Sequence, residues 1–108
     1  MLLPPFCDVI SVGFSSLSEK TCETAARAFA AMLRENHKAD CADIPLQILG
    51  PAPNSVGRLN GRFRFRLMVK CRNSSPLRRL MEKTLREAYS DQRFANVSFY
   101  ADMNGSMD

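Results

Sequence analysis

Apolar positions recur every second residue in some stretches and every third or fourth in others, and this change of period predicts the elements. Asp8 to Ser15 is β-branched and loosely alternating, the pattern of a strand. Ser16-Leu17-Ser18-Glu19 matches a capping box, with Ser16 as N-cap and Glu19 at the third helical position. The helix that follows runs to about Asn36, with Cys22, Ala25, Ala26, Phe29, Ala30 and Leu33 along one face. Most of these side chains are small, which lets the helix lie close to a sheet. Leu46 to Leu49 forms a short strand. It is expected to stop at Gly50-Pro51-Ala52-Pro53-Asn54, because proline offers no amide to a ladder. A loop continues to Gly61, and a third strand spans Arg62 to Cys71. Ser75-Pro76 opens a second helix, with serine as cap, proline in the first turn and an apolar stripe of Leu77, Leu80, Met81, Thr84, Leu85 and Ala88. Asn96 to Met103 makes the last strand, and the tail beyond it frays.

The order β-α-β-β-α-β implies an α+β, ferredoxin-like sandwich: two helices on one face of a four-stranded antiparallel sheet, the other face left open. At 108 residues the chain has the size of one domain, taken here as residues 1–108. Hydrophobic residues at 45% and charged residues at 24% are ordinary for a globular protein and argue against disorder. No apolar run is long enough to span a membrane, and the start Met1-Leu2-Leu3-Pro4-Pro5 lacks the features of a secretory leader. The expected location is the cytoplasm. Cys7, Cys22, Cys41 and Cys71 form no C-x-x-C pair, and His37 is the only histidine. That spacing favours neither a zinc site nor disulfides, so no metal is expected.

Charge is distributed unevenly. Residues 57 to 93 carry a net +8 and the rest of the chain a net −4. Such a split points to a polyanionic partner for one part of the surface. The third strand sharpens the point, because its side chains alternate between the faces of the sheet. Phe63, Phe65, Leu67 and Val69 point one way; Arg62, Arg64, Arg66 and Lys70 point the other, with Met68 among them. The apolar row must meet the helices, so the cations take the open face. Residues two apart on a strand lie about 6.8 Å apart, a pitch suited to following a sugar-phosphate backbone. Contacts of that kind give affinity without sequence preference. Arg58, in the loop before the strand, is placed to add a phosphate contact. Arg78 and Arg79 sit in the first turn of the second helix, where free amides and the helix dipole already favour anions, and suit a carboxylate-rich peptide tail.

Catalytic signatures are missing: there is no Walker A sequence, G-x-S-x-G or H-E-x-x-H. Val9 to Leu17 lacks the arginine that an acylphosphatase of this topology requires. Gly61-Arg62-Phe63-Arg64-Phe65 is similar to the RNP1 pattern of an RNA-recognition motif, but in opposite phase. In that motif the aromatics face the open sheet, whereas here the arginines do. Tyr100, on the last strand, is then the one aromatic expected on the open side.

Gly50-Pro51-Ala52-Pro53, followed by Arg58-Leu59, Gly61-Arg62-Phe63-Arg64-Phe65, Leu67 and Lys70, resembles the central block of the C-terminal domain of the primosomal helicase family, primosomal protein N′ (PriA). Pro4-Pro5-Phe6 resembles the opening of that domain and Ala101-Asp102-Met103-Asn104 its ending, so the resemblance spans about residues 3 to 106. Leu3, Arg66 and Gly105 depart from the usual tyrosine, glutamine and proline. The resemblance implies a piece of an ATP-dependent 3′→5′ DNA helicase that reloads the replisome at stalled forks. ATPase lobes and zinc-binding cysteines belong to other regions of that family, so neither ATP nor zinc is a cofactor of this segment. It implies a ferredoxin-like domain without catalysis of its own. It further implies three partners for a monomeric, nucleoid-associated domain: branched or single-stranded DNA, the acidic tail of single-stranded DNA-binding protein, and the helicase lobes. A freestanding RNA-binding or ribosome-associated module of the same fold is the alternative reading.

Overall fold

The computed structural model describes residues 8–40, 42–53, 62–72 and 75–102. Six principal elements follow one another: β1 (Asp8–Ser16), α1 (Glu19–Asp40), β2 (Leu46–Pro53), β3 (Phe63–Cys71), α2 (Ser75–Tyr89) and β4 (Ser98–Asp102). A short 3-10 turn, Gln92–Phe94, joins α2 to β4. The strands form one antiparallel sheet in the order β2-β3-β1-β4. This is the ferredoxin-like arrangement expected from the order of elements.

Alternation decides which face is buried. Ile10, Val12 and Phe14 of β1 and Phe65, Leu67, Val69 and Cys71 of β3 are buried in one core with the helices. From α1 come Cys22, Ala25, Ala26, Ala28, Phe29, Ala30 and Leu33; from α2 come Leu77, Leu80, Met81 and Ala88. Phe99 of β4 gathers aromatic rings from four other elements, at centroid distances of 6.2 Å to Phe14, 6.4 Å to Phe29, 4.7 Å to Tyr89 and 5.2 Å to Phe94. One polar link crosses between the helices. Asn36 Nδ2 donates to Thr84 Oγ1 and to Glu87 Oε1, each at 3.0 Å, and the Thr84 hydroxyl donates to the Leu80 carbonyl at 2.9 Å. Asn36→Ala strips the Thr84 oxygen of its buried donor and is expected to cost about 1–2 kcal/mol. A denaturant titration showing no change would remove this link from the account of how the helices are held.

Several boundaries differ from the sequence expectation. Ser16 pairs with Phe63 in the β1–β3 ladder, so the strand runs through it. Ser18 caps α1 in its place, its Oγ accepting from the Thr21 amide at 3.3 Å. The helix also continues four residues past Asn36, to Asp40. His37 Nε2 lies 2.7 Å from the Ile44 carbonyl, and Lys83 of α2 pairs with Asp40 at 2.8 Å, so both hold that last turn.

Strand β2 does not stop at Gly50-Pro51 but runs on to Pro53. It lies at the edge of the sheet, where one side has no ladder to supply. The register steps between Leu49 and Ala52, and Gly50 takes a φ of +97° at that step, a conformation that favours glycine. Strand β4, Ser98–Asp102, begins two residues later than expected because the chain is still turning at Ala95 and Asn96 after the 3-10 segment; Met103, its expected last residue, lies outside the described residues. Asp91 caps this turn, accepting from the Arg93 amide at 2.8 Å and from its guanidinium at 2.7 Å. These hydrogen bonds hold the Asp91 carboxyl well below the usual carboxylate range, at about 2. A depressed carboxyl contributes stability at pH above its unfolded value and loses it as pH falls toward about 2. In a carboxyl-detected NMR titration Asp91 is therefore expected to keep its charge below pH 3, and an ordinary midpoint near 3.8 would refute the cap.

Candidate nucleic-acid interface

The sheet face away from the helices is built from alternate residues of all four strands. Two rows show its construction. Arg64, Ser15 and Ser98 pair across β3, β1 and β4; Ala52, Arg66, Gly13 and Tyr100 pair across all four. A further row brings Leu49, Met68 and Ser11 together, and Gln47 sits opposite Lys70. Strand β1 therefore presents Ser11, Gly13 and Ser15 along the middle of the face. These short residues make a trough between the longer side chains of β3 and Tyr100 of β4.

Arg64, Arg66 and Lys70 stand on this face as the alternation requires, Arg66 exposed and the other two half-buried. Among the described residues, ion pairs join Arg27 to Glu23, Lys83 to Asp40 and Arg93 to Asp91; these three cations have none. Arg62 is held differently. Its Nε donates to Ser15 Oγ and its Nη2 to the Ser15 carbonyl, both at 3.3 Å, which ties the guanidinium to the end of β1. Arg58 lies outside the described residues. Four of the five expected phosphate-binding residues thus lie on or beside one strand, and three present cations that have no carboxylate partner among the described residues.

Tyr100 is 58% exposed and lies across β1. A Cβ placed on Gly13 would come within 2.6 Å of its Cε1, 2.7 Å of Cζ and 2.8 Å of the hydroxyl oxygen. Only a glycine lets the ring settle there. Gly13, Ser15, Arg64, Arg66, Ser98 and Tyr100 line a shallow hollow of about 70 Å³. Phe65, by contrast, is 6% exposed and belongs to the core, which confirms the phase that separates this strand from an RNP1 motif.

A second group of cations lies on the helical side of the domain. Helix α2 has no acidic residue in its first turn, and Arg78 and Arg79 are both exposed. Arg79 joins Lys83 and Arg86, with Asp40, Pro76, Leu80 and Glu82, around an open groove of about 630 Å³ whose lining does not include Arg78. The sequence singled out the pair Arg78 and Arg79, whereas the groove draws on Arg79, Lys83 and Arg86. Helical spacing of 79, 83 and 86 was the signal available for it. The buried Cys22 thiol is pushed up from its ordinary pKa by burial, against a backbone hydrogen bond at Phe65 and the charge of Arg62. A thiol so held is a poor nucleophile.

Solved structures of similar shape define the class. The de novo designed protein Foldit4 superposes with a TM-score of 0.55 at 15% identity, over 87% of this chain and 91% of that one. A de novo designed protein with ferredoxin fold gives 0.54 at 15% identity, over 90% and 85%. A hydantoinase/carbamoylase family amidase from Burkholderia ambifaria gives 0.58 at 15% identity over 88% of this chain, which spans 26% of the amidase. At such identity the likeness establishes a ferredoxin-like α+β domain. No curated protein matches the chain. The model of the primosomal protein N C-terminal domain family matches residues 1–104, and the chain belongs to that family. None of the described helices is long and apolar enough to cross a membrane.

Proposed function

We propose that this chain is a non-catalytic binding domain of the replication-restart primosome that holds branched or single-stranded DNA on its open sheet face. The row Arg64, Arg66 and Lys70, which joins no ion pair among the described residues and lies beside a trough of small residues, carries this reading. Cations at strand pitch can each meet a phosphate, and arginine does so with two hydrogen bonds. Family membership agrees with it. The parent protein is then an ATP-dependent DNA helicase, with ATP and zinc bound outside this chain, and the domain works in the cytoplasm.

Fluorescence anisotropy with single-stranded and forked DNA tests the proposal. Three phosphate contacts predict a log–log salt slope of about −2 on single strands, or about a twentyfold loss between roughly 50 and 200 mM salt. No binding at the lower salt would sink it.

The groove of Arg79, Lys83 and Arg86 favours a second docking role on the helical side. Arg79 and Arg86, which join no ion pair among the described residues, suit the acidic tail of single-stranded DNA-binding protein beside the Lys83–Asp40 pair, with Arg78 adding to the field. Such a tail would share the remaining surface with the helicase lobes of the parent protein.

A further inference from the structure

The domain's most exposed ring on the sheet face is held in an unusual setting. Gly13 and Tyr100 are direct cross-strand partners, and the phenol end of the ring occupies the space that any larger residue at position 13 would fill. The ring is thus laid over the floor of the trough while remaining 58% exposed. On the other side of the same trough, Arg66 is the cross-strand partner of Gly13 and Arg64 that of Ser15. Arg66 and Tyr100 are therefore two strand spacings apart, about 9.5 Å between backbones. One wall of the trough is cationic, the other carries a π surface, and the floor has no side chain longer than serine.

We infer that Tyr100 is a nucleobase-stacking platform, and that the trough over β1 seats an unpaired nucleotide with its base on the Tyr100 ring and its phosphates toward Arg64 and Arg66. The inference rests on the DNA-binding reading of this face and adds a distinction to it. A purely cationic face does not discriminate between paired and unpaired nucleic acid, whereas a stacking ring needs a base freed from its partner. Charge complementarity selects the polyanion, and the ring selects its single-stranded form. Base identity is not read, because every base offers a π face and, among the described residues, none that lines the hollow carries a side-chain amide or carboxylate to read an edge. The small residues of β1 are part of the device. A β-branched residue at position 13 would displace the ring, and a long one at position 15 would fill the seat.

The test compares two fluorescein-labelled oligonucleotides of about twelve residues, a length within the span of one small sheet module, one of thymidines and one of abasic units with the same phosphates. The wild-type chain is expected to bind the thymidine strand roughly tenfold more tightly. Tyr100→Ala is expected to bind both strands as the wild type binds the abasic one, with an unchanged salt slope. Tyr100→Phe is expected to keep the preference. Equal, salt-sensitive binding of both strands by the wild type would overturn the stacking platform and leave the cationic row standing. A preference that survives Tyr100→Ala would overturn it as well. Failure to bind either strand would instead overturn the DNA-binding reading on which the inference rests.

Discussion

Phe29→Ala is expected to remove about 3–5 kcal/mol of stability, the largest effect of any single substitution considered for this domain. Phe29 is fully buried on α1, and its ring meets Phe14 edge-on at 5.7 Å and Phe99 at 6.4 Å. The magnitude follows from its neighbours as much as from its own size. Cys22, Ala25, Ala26 and Ala30 let α1 approach the sheet closely, and Phe29 is the largest buried side chain on that face. Alanines have no rotamers with which to close a void. The cavity left by the ring therefore stays open, and open cavities give losses at the upper end of the range. A domain of this length is typically stable by about 5–15 kcal/mol, so the variant is expected to fold but to melt roughly 12–25 °C lower. Urea titration of both proteins checks this. A loss below about 1 kcal/mol would mean that the helix resettles onto the sheet, against the close packing described here.

The features legible in the sequence are those set by local period. Phe63 to Val69 announces its buried and open faces, because alternation along a strand survives any choice of neighbouring strand. The two helical faces are legible for the same reason, and Thr84 lies in its apolar stripe because its hydroxyl is satisfied by Leu80. Features that depend on which strand lies beside which were not legible. Proline at 51 and 53 argues against a strand, and only the edge position of β2 makes it tolerable. Ser16 carries a good capping sequence, but the ladder to β3 claims it first. The Tyr100 ring was expected on the open face, yet its seat on Gly13 is a fact of register between residues 87 apart in the chain. Likewise the basic run from 57 to 93 reads as one patch in sequence, whereas the fold separates two of its groups onto opposite faces. Strand alternation sends Arg64, Arg66 and Lys70 to one, and helical spacing sends Arg79, Lys83 and Arg86 to the other.

Arg64→Glu together with Arg66→Glu is expected to weaken single-stranded DNA binding at roughly 50 mM salt by at least tenfold, and to flatten the salt slope by about 1.4. Each lost phosphate contact removes about 0.7 from the slope on a single strand, so two account for that value. Slope and affinity must move together. Lost affinity with an unchanged slope would mean that the substitutions disturbed the sheet without removing phosphate contacts. Stability supplies the second half of the argument. Arg64 and Arg66 lie about 6.8 Å apart along β3, and like charges so placed repel. Nothing in the core requires them, since Arg66 is exposed and neither joins an ion pair among the described residues. Two glutamates at these positions repel each other in the same way but are drawn to Lys70 on the same face, so the fold is expected to keep its stability or gain slightly. A side-chain row that costs the free domain something and is not needed for packing is explained by a ligand that neutralises it. If the double variant binds DNA as the parent does, that explanation is lost and the row is an ordinary solvated face. If it binds weakly and also unfolds, the arginines are structural. Weak binding with intact folding is the outcome that assigns the open sheet face to DNA.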